Sequence, residues 1–244
     1  MLRVASALVV LAVVSLALPP RARAVMAPCV IGPTLAGAPL SPLVRLPIAS
    51  KASDSTLQAL FASGQAFPEF LEATRRRREG WHRINDSVAI NDSLVARANA
   101  VGGSWKLLVI AIDACGDSMQ QVPYVARLGA LVDSLDVRIV LPNAGAPVQA
   151  THRSLDGRSA TPTYVLIDAS GGEAGCMVEL PREIREWTHA RLDSVSSDER
   201  YAYRAEWYAA DKGTSVVREV IELMERARSG SPMCERGQDT SSPS

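Results

Sequence analysis

The sequence predicts an α/β fold in three layers, with helices on both faces of a mixed central sheet. Between residues 55 and 228, short apolar runs alternate with longer amphipathic runs, which indicates strands alternating with helices. The first two apolar runs are separated by a helical run, so we expect a crossover and a parallel strand pair. The last two are separated by a Gly-Gly turn, so we expect them to pair antiparallel. Extra helices are expected at the N- and C-terminal ends.

Composition favours one core and argues against two classes of partner. The chain of 244 residues is 47% hydrophobic, which is enough apolar material for one sizeable domain. It carries 26 basic and 26 acidic side chains and only 5% aromatic residues. Balanced charge and few stacking rings give no reason to expect a nucleic acid or an anionic membrane as partner.

Residues 1–24 have the pattern of a secretory signal peptide. An early positive charge is followed by an apolar run from Val4 to Leu18 and by Ala-Arg-Ala ending at Ala24. Because a spanning helix needs about 20 apolar residues, a cleaved signal is favoured over an uncleaved anchor, and no membrane span is expected after cleavage. The sequence therefore predicts an exported protein, periplasmic or extracellular, in a compartment that permits disulfides.

Two segments flank the predicted domain at residues 55–228. Residues 25–54 are rich in proline and alanine and are predicted to be a tether, since prolines at this density interrupt helices and central strands. Residues 229–244, which begin SGSPMCERGQ, are predicted to be a disordered tail.

Helices are predicted where apolar residues recur at helical spacing behind capping residues or proline. Asn91 opens one such run, which ends at a Gly-Gly pair. Pro181 opens another, because proline suits the first turn of a helix. In chain order, the other predicted helices cover residues 55–62, 68–88, 118–135, 200–210 and 214–228.

Strands are predicted from short continuous apolar runs. KLLVIAI at residues 106–112, bounded by glycine and aspartate, indicates a buried strand. The other predicted strands are DVRIVLPN at 136–143, TPTYVLID at 161–168 and GEAGCMVEL at 172–180.

The loop ACGDS places a cysteine between the first strand and the helix that follows it. At the start of that helix, backbone N–H groups and the helix dipole favour a thiolate on Cys115, and the thiolate is the nucleophilic form. Gly116 allows a tight turn, and Ser118 carries a hydroxyl within one turn of the sulfur. Asp117 adds a negative charge that is expected to oppose the thiolate in part. A buried structural cysteine is the alternative.

Two prolines bear on that alternative. Pro123 lies eight positions after Cys115 inside the predicted helix, where proline is costly unless a kink is wanted. Thr161-Pro162 opens a buried strand, a place where proline is tolerated, and a cis peptide bond there is our hypothesis.

Strand, Cys-Gly-x-x, a helix with a proline eight residues on, a strand and then Thr-Pro before a hairpin resemble the thioredoxin superfamily. The segments FPEFLEATRRRREGW, GRSATPTYVLID, LPREIREW and YAADKGTSVVREVIELM are similar to a bacterial branch of that superfamily with a Trp-Cys-Gly-Asp motif. The resemblance covers about residues 57–228. It implies that Cys115 attacks disulfides, that Pro162 is cis and faces Cys115, and that Thr161 offers its backbone to the substrate chain.

The loop departs from the family pattern at two positions. Ala114 stands where an aromatic residue usually precedes the cysteine, and Ser118 stands where the second cysteine of a CxxC pair would be. Exchange passes through a mixed disulfide that a nearby thiol must resolve, and serine cannot do this. Cys115 and Ser118 are therefore the candidate catalytic residues of a monothiol site. Gly116, Asp117, Thr161 and Pro162 are the candidate substrate-binding residues.

The remaining cysteines leave several pairings open. Cys176 is expected to be a buried structural residue at or near the sheet edge. Cys29 and Cys234 could pair with each other, stapling tether to tail, or one of them could pair with Cys176.

Neither a metal nor another cofactor is predicted. His82, His152 and His189 show no paired ligand spacing, and there is no phosphate-binding glycine loop or zinc motif. The arginine run at residues 75–78 is interpreted as a solvated helix face whose aliphatic stems cover Trp81 or its neighbours.

Two functional hypotheses follow. The first is monothiol thiol–disulfide exchange through Cys115, with protein disulfides or low-molecular-weight thiols as partners. The second is a redox-inactive binding module that uses the same groove to hold an extended peptide or protein, since both the aromatic residue and the second cysteine are missing from the loop. Fold alone does not decide between them.

Overall fold

The structure is a computed structural model that describes residues 53–235. The predicted signal peptide, almost all of the predicted tether, Cys29 and the last residues of the tail lie outside this range. Within it, no helix is long and apolar enough to cross a membrane.

The N-terminal third is helical, with one break that the sequence did not predict. Its helices are α1 (Asp54–Ser63), α2 (Phe67–Ala73), α3 (Arg78–Ser87) and α4 (Asp92–Val101). The side chains of Ser53 and Asn91 cap α1 and α4 by accepting backbone N–H bonds, as expected for these residue types.

The single helix predicted at residues 68–88 is wrong, because the chain turns between α2 and α3. The carboxylate of Asp113 accepts hydrogen bonds from the backbone N–H groups of Arg75 and Arg76 at 2.7 and 2.8 Å. Arg77 then takes a left-handed conformation with φ of 53°. A distant carboxylate thus satisfies donors that a continuous helix would have used internally.

A five-stranded mixed sheet forms the centre of the described chain. Its strands are β1 (Trp105–Ile110), β2 (Leu135–Val140), β3 (Thr163–Ile167), β4 (Glu173–Val178) and β5 (Met233–Glu235), in the order β2-β1-β3-β4-β5. The predicted parallel pair β1–β2 and antiparallel hairpin β3–β4 are both confirmed. Strand β1 also pairs antiparallel with β3.

Helices α5 (Gly116–Leu131) and α9 (Thr214–Arg228) pack on one face of this sheet, and α6 (Pro142–Gln149) packs with α1 on the other. Helices α7 (Arg182–His189) and α8 (Ser197–Asp211) pack against each other in a separate cluster. Helix α6 is not predicted by the sequence: it begins at Pro142, within the strand predicted at residues 136–143. Proline at a first helical position is pre-set for a helix and gives up a donor that is unused there.

Strand β1 separates two cores. Leu107 and Val109 pack with residues of α3, α5 and α9, whereas Leu108 and Ile110 pack with residues of α1 and α6. Alternation of this kind on a strand buried on both faces explains why its sequence is continuously apolar. The three-layer α/β fold that the sequence predicted is therefore confirmed.

The predicted disordered tail is wrong over its described part. Residues 233–235 form β5, which pairs parallel with β4, and Cys234 is bonded to Cys176. Strand β5 covers β4, so Cys176 lies in the strand next to the edge and is fully buried. Of the open pairings, the structure selects Cys176 with Cys234 and excludes Cys29 with Cys234.

Removal of this disulfide should destabilise the fold measurably. It joins residues 58 apart in sequence, and a closed loop of that length stabilises a protein by about 2–4 kcal/mol, mainly by restricting the unfolded chain. We expect the free energy of unfolding of the double variant Cys176→Ala/Cys234→Ala to be lower by that amount, measured by urea unfolding without reductant. Ser231→Ala, at an exposed position of the same tail, is the control and should unfold like the wild type. A loss below about 0.5 kcal/mol, the usual limit for neutral surface changes, would contradict the expectation.

Candidate functional site

Cys115 is the N-cap residue of α5, immediately after the loop that leaves β1. Its Sγ atom accepts a hydrogen bond from the backbone N–H of Ser118 at 3.3 Å. The same Sγ lies 3.1 Å from the carbonyl oxygen of Thr161. The residue is only 2% exposed, so the sulfur is held between a helix N-terminus and the backbone of a facing loop.

The facing loop carries Thr161 and Pro162, which are both buried. The Thr161–Pro162 peptide bond is cis, as the sequence predicted. The loop is held from behind, because Gln149 Nε2 and Thr163 Oγ1 each donate to the carbonyl oxygen of Ala160 at 2.8 Å. The structure therefore brings the two predicted halves of the site together.

Cys115 is itself disulfide-bonded. Cys176 and Cys234 are bonded to each other, so neither of them is its partner. A half-cystine has no hydrogen to donate, so its approach to Thr161 is a close polar contact in this state. The described site is therefore in its oxidised form.

Asp117 is turned toward the C-terminal helices. Its carboxylate is buried, accepting from Arg204 Nη1 at 2.9 Å and from the Tyr208 hydroxyl at 3.0 Å. Burial opposes the charge on Arg204, but Asp117 more than offsets this and keeps the pKa of the guanidinium above its ordinary value. The negative charge expected to oppose a thiolate is thus compensated by an arginine on α8.

A buried polar network extends from this ion pair. Gln121 Nε2 donates to the carbonyl oxygen of Glu179 at 2.8 Å and to the Tyr208 hydroxyl at 2.9 Å. Burial raises the pKa of the Glu179 carboxyl, although the nearby guanidinium of Arg158 opposes the shift. Burial, reinforced by the charge of Asp117, also raises the pKa of Tyr208. The tyrosine hydroxyl therefore acts as a neutral donor at any ordinary pH.

Two hydroxyl groups of the predicted site do not take part in this network. Ser118 Oγ and Thr161 Oγ1 are both buried, and neither has a hydrogen-bond partner within residues 53–235. Ser118 contributes through its backbone N–H, which reaches the sulfur of Cys115. Its side chain shows no role in holding Cys115.

The interpretation of the arginine run at residues 75–78 as a solvated helix face is confirmed only in part. Arg75 and Arg76 are exposed, but α3 begins only at Arg78, and Arg77 supports the cysteine loop. Arg77 Nε donates to the carbonyl oxygen of Ala114 at 2.8 Å. Trp81 Nε1 donates to the carbonyl oxygen of Asp113 at 2.9 Å. Together with the Asp113 carboxylate bonds, these contacts fix the backbone of the two residues that precede Cys115.

Sequence reasoning missed Arg204, Tyr208 and Arg77. Arg204 lies 87 residues after the aspartate that it pairs with, so no local pattern connects the two. The one available signal was the spacing of Arg204 and Tyr208, which puts a cation and a hydroxyl on one face of α8 among small and aromatic residues.

Comparison with known proteins supports the fold and the family. A family model described as thioredoxin matches residues 64–197, which is more than half of the chain, and the chain belongs to that family. A crystal structure of a Pseudomonas aeruginosa protein of unknown function is similar, with 17% identity, a TM-score of 0.54, and coverage of 69% of this chain and 96% of that one. Among curated proteins no match is found.

A second solved structure, an HIV epitope scaffold, is similar to the same extent. It has 15% identity and a TM-score of 0.54, and the match covers 69% of this chain and 96% of the scaffold. At these identities the two structures support the fold alone.

Glu219 makes the stability of the fold depend on pH near neutrality. Burial raises the pKa of its carboxyl from 4.5 to about 7, although Arg182, which donates its backbone N–H at 2.7 Å, and Arg185 oppose the shift. Between pH 4.5 and about pH 7, Glu219 keeps its proton in the folded chain but releases it in the unfolded chain. This contribution to stability is complete below about pH 4.5 and is lost as the pH rises to about 7.

Glu219→Gln should remove that dependence, because glutamine keeps the carbonyl acceptor for Arg182 without a titrating proton. We expect the variant to match the wild type near pH 4.5 and to exceed its free energy of unfolding at pH 8 by about 1–3 kcal/mol. Urea unfolding across this range measures it. Glu183→Gln, at an exposed carboxylate on α7, is the control. Parallel pH curves for Glu219→Gln and wild type would disprove the linkage.

Proposed function

We propose that this chain is an exported thiol–disulfide exchange protein that works through Cys115. One observation carries the proposal: Sγ of Cys115 sits at the N-terminus of α5 against the carbonyl of Thr161, next to cis-Pro162, in a chain of the thioredoxin family. The substrates are protein disulfides or low-molecular-weight thiols and disulfides. Export rests on the signal-like residues 1–24 and is part of the proposal.

The chemistry follows from the position of the sulfur. In the reduced protein, the Cys115 thiolate attacks one sulfur of a substrate disulfide. The substrate S–S bond breaks, its second sulfur leaves as a thiolate and takes a proton, and a mixed disulfide forms. The Ser118 N–H and the positive end of the α5 dipole stabilise the thiolate before attack and when it is released. The carbonyl of Thr161 lies beside the reacting sulfur, where an extended substrate chain can align.

Release of the mixed disulfide needs a second thiol, and Ser118 cannot supply it. The pairing of Cys176 with Cys234 removes those two cysteines from the cycle. We propose Cys29, the fourth cysteine of the chain, as the resolving residue. Its thiolate attacks Cys115 Sγ, frees the substrate thiol, and leaves an intramolecular disulfide that an external dithiol must reduce.

The expected test uses the reduced protein and oxidised glutathione. In Cys29→Ser, Cys115 should accumulate one stable glutathione adduct, since the resolving thiol is gone. The wild type should instead form a disulfide between Cys29 and Cys115. Cys115→Ser should carry no glutathione at residue 115. Peptide mapping by mass spectrometry measures each outcome. If Cys115 of Cys29→Ser stays unmodified while the buried Cys176 reacts, the exchange proposal fails.

Ser118→Cys gives a second arm of the same experiment. It places a thiol where the backbone N–H of residue 118 already reaches Cys115. In a Cys29→Ser background it should clear the glutathione adduct and restore turnover of disulfides. Persistence of the adduct would show that the loop does not support exchange chemistry.

A binding module without redox turnover is the second candidate, favoured by one specific observation. A cavity of about 220 Å³ opens beside the loop before Cys115 and is lined in part by Phe70, Ile112 and Leu141. Leu141 is 44% exposed, and an exposed leucine at the rim of an apolar cavity suits docking of an extended peptide.

The two candidates differ in their response to two substitutions. A binding module predicts that immobilised Cys115→Ser retains the partner that the wild type retains, whereas Leu141→Asp loses it. Leu131→Asp, at another exposed leucine, is the control and should bind normally. Partner recovery, measured by quantitative mass spectrometry under non-reducing conditions, decides the case. Loss of the partner in Cys115→Ser alone supports exchange.

A further inference from the structure

Four potential metal ligands meet on the side of the sheet covered by α1 and α6. We call His152, Glu173, Cys176 and Cys234 the His152 cluster. One ligand atom from each residue lies within 4.8 Å of the other three. The imidazole and Cys176 are fully buried, and the Glu173 side chain is 8% exposed. The residues come from the segment after α6, from β4 and from β5, so only the tertiary structure brings them together.

The hydrogen bonds of His152 determine which nitrogen faces the cluster. Nδ1 lies 2.9 Å from the carbonyl oxygen of Val148. Nδ1 also lies 2.9 Å from the Thr151 hydroxyl, which donates its own hydrogen to the same carbonyl at 3.0 Å. Both neighbours therefore present acceptor lone pairs, so Nδ1 carries the hydrogen. Donation from Nδ1 to a backbone carbonyl is also the arrangement that orients metal-binding histidines and sets their tautomer. Nε2 is therefore the nitrogen that points toward Glu173 and the two sulfur atoms.

His152 Nε2 lies close to a carboxylate oxygen of Glu173 but makes no hydrogen bond to it. It lies 3.3 Å from Glu173 Oε1 but has no partner with hydrogen-bond geometry within residues 53–235. In a neutral imidazole, this contact would set a nitrogen lone pair against a carboxylate oxygen in a buried space, which is costly. A cation between them, either a proton on Nε2 or a metal ion, removes that repulsion.

The donor set identifies the metal. One imidazole nitrogen, one carboxylate oxygen and two cysteine sulfurs make a four-ligand set of the kind that holds Zn²⁺ tetrahedrally. Thiolates and imidazole favour zinc over magnesium or calcium, which prefer oxygen ligands. Two thiolates and a carboxylate also compensate the charge of a buried dication.

We propose that the His152 cluster is a redox-controlled zinc site, separate from Cys115 and independent of the function proposed for it. In the described state Cys176 and Cys234 form a disulfide, so neither sulfur is a thiolate that could bind the ion. A dithiol breaks this S–S bond by giving up two electrons and two protons and becoming a disulfide, and a phosphine breaks it together with water and becomes a phosphine oxide. Either reductant leaves two thiols. Zn²⁺ then displaces both thiol protons and binds Sγ of each cysteine, His152 Nε2 and Glu173. A low-molecular-weight disulfide reverses this step: it takes two electrons from the two thiolates and two protons from water, leaves as two thiols, and the re-formed Cys176–Cys234 bond releases the ion.

The test uses the full chain carrying Cys29→Ser and Cys115→Ser, so that the cluster holds the only cysteines. The protein is reduced with a phosphine, desalted under argon and titrated with Co²⁺ and then with Zn²⁺. We expect one equivalent of Co²⁺ to bind with the intense visible absorption of a tetrahedral site and a thiolate charge-transfer band, and Zn²⁺ to displace it. The oxidised protein should bind neither ion.

Ligand variants in the same background complete the test. His152→Gln and Glu173→Gln should each weaken Zn²⁺ binding by at least about tenfold, since loss of even an outer hydrogen-bond partner of a ligand costs about 10- to 100-fold. His189→Gln, at an exposed histidine, is the control. Circular dichroism of the oxidised forms checks folding, and Cys234→Ser on the terminal strand is a further variant should His152→Gln not fold. Octahedral Co²⁺ spectra, binding of less than about 0.1 equivalent by the reduced protein, or unchanged affinity in Glu173→Gln would overturn the proposal.

Discussion

The buried ion pair between Asp117 and Arg204 ties the cysteine loop to the C-terminal helices. Burying a carboxylate costs several kcal/mol unless it is paired, so the cation that α8 supplies stabilises Asp117 in the first turn of α5. The pair is 2.9 Å long, and both side chains are almost fully buried. The thioredoxin family match ends at residue 197, where α8 begins. The loop that holds Cys115 therefore depends on an element beyond the matched region.

A second set of contacts holds the same loop from the N-terminal side. The carboxylate of Asp113 accepts two backbone N–H bonds from the turn between α2 and α3. Arg77 donates to the carbonyl oxygen of Ala114, and Trp81 donates to that of Asp113. Both helical extensions of the domain thus converge on one loop. Their common effect is to present Sγ of Cys115 to the carbonyl of Thr161 with little freedom, which is what a preorganised exchange site requires.

The three described cysteines lie at two separate places in this fold. Cys115 lies at the carboxyl end of β1, whereas Cys176 and Cys234 join β4 to β5 on the side where α1 and α6 pack. The first position offers a helix N-terminus and a facing backbone carbonyl, the features on which the exchange proposal rests. The second is enclosed and lies beside His152 and Glu173, so it suits either a structural disulfide or, once reduced, a metal. The exchange and zinc proposals therefore concern two separate sites in one chain.

The sequence by itself determined the order of most helices and strands, the pairing of β1 with β2 and of β3 with β4, and the convergence of Cys115 with Thr161 and Pro162. These features follow from local apolar periodicity, capping residues, prolines and a family pattern that is contiguous in sequence. Only the tertiary structure decided the break at Arg77, strand β5, the partner of Cys176, the cation for Asp117 and the cluster at His152. Each of these depends on a contact between residues far apart in sequence, whose strength comes from burial, and burial is a property of the folded chain.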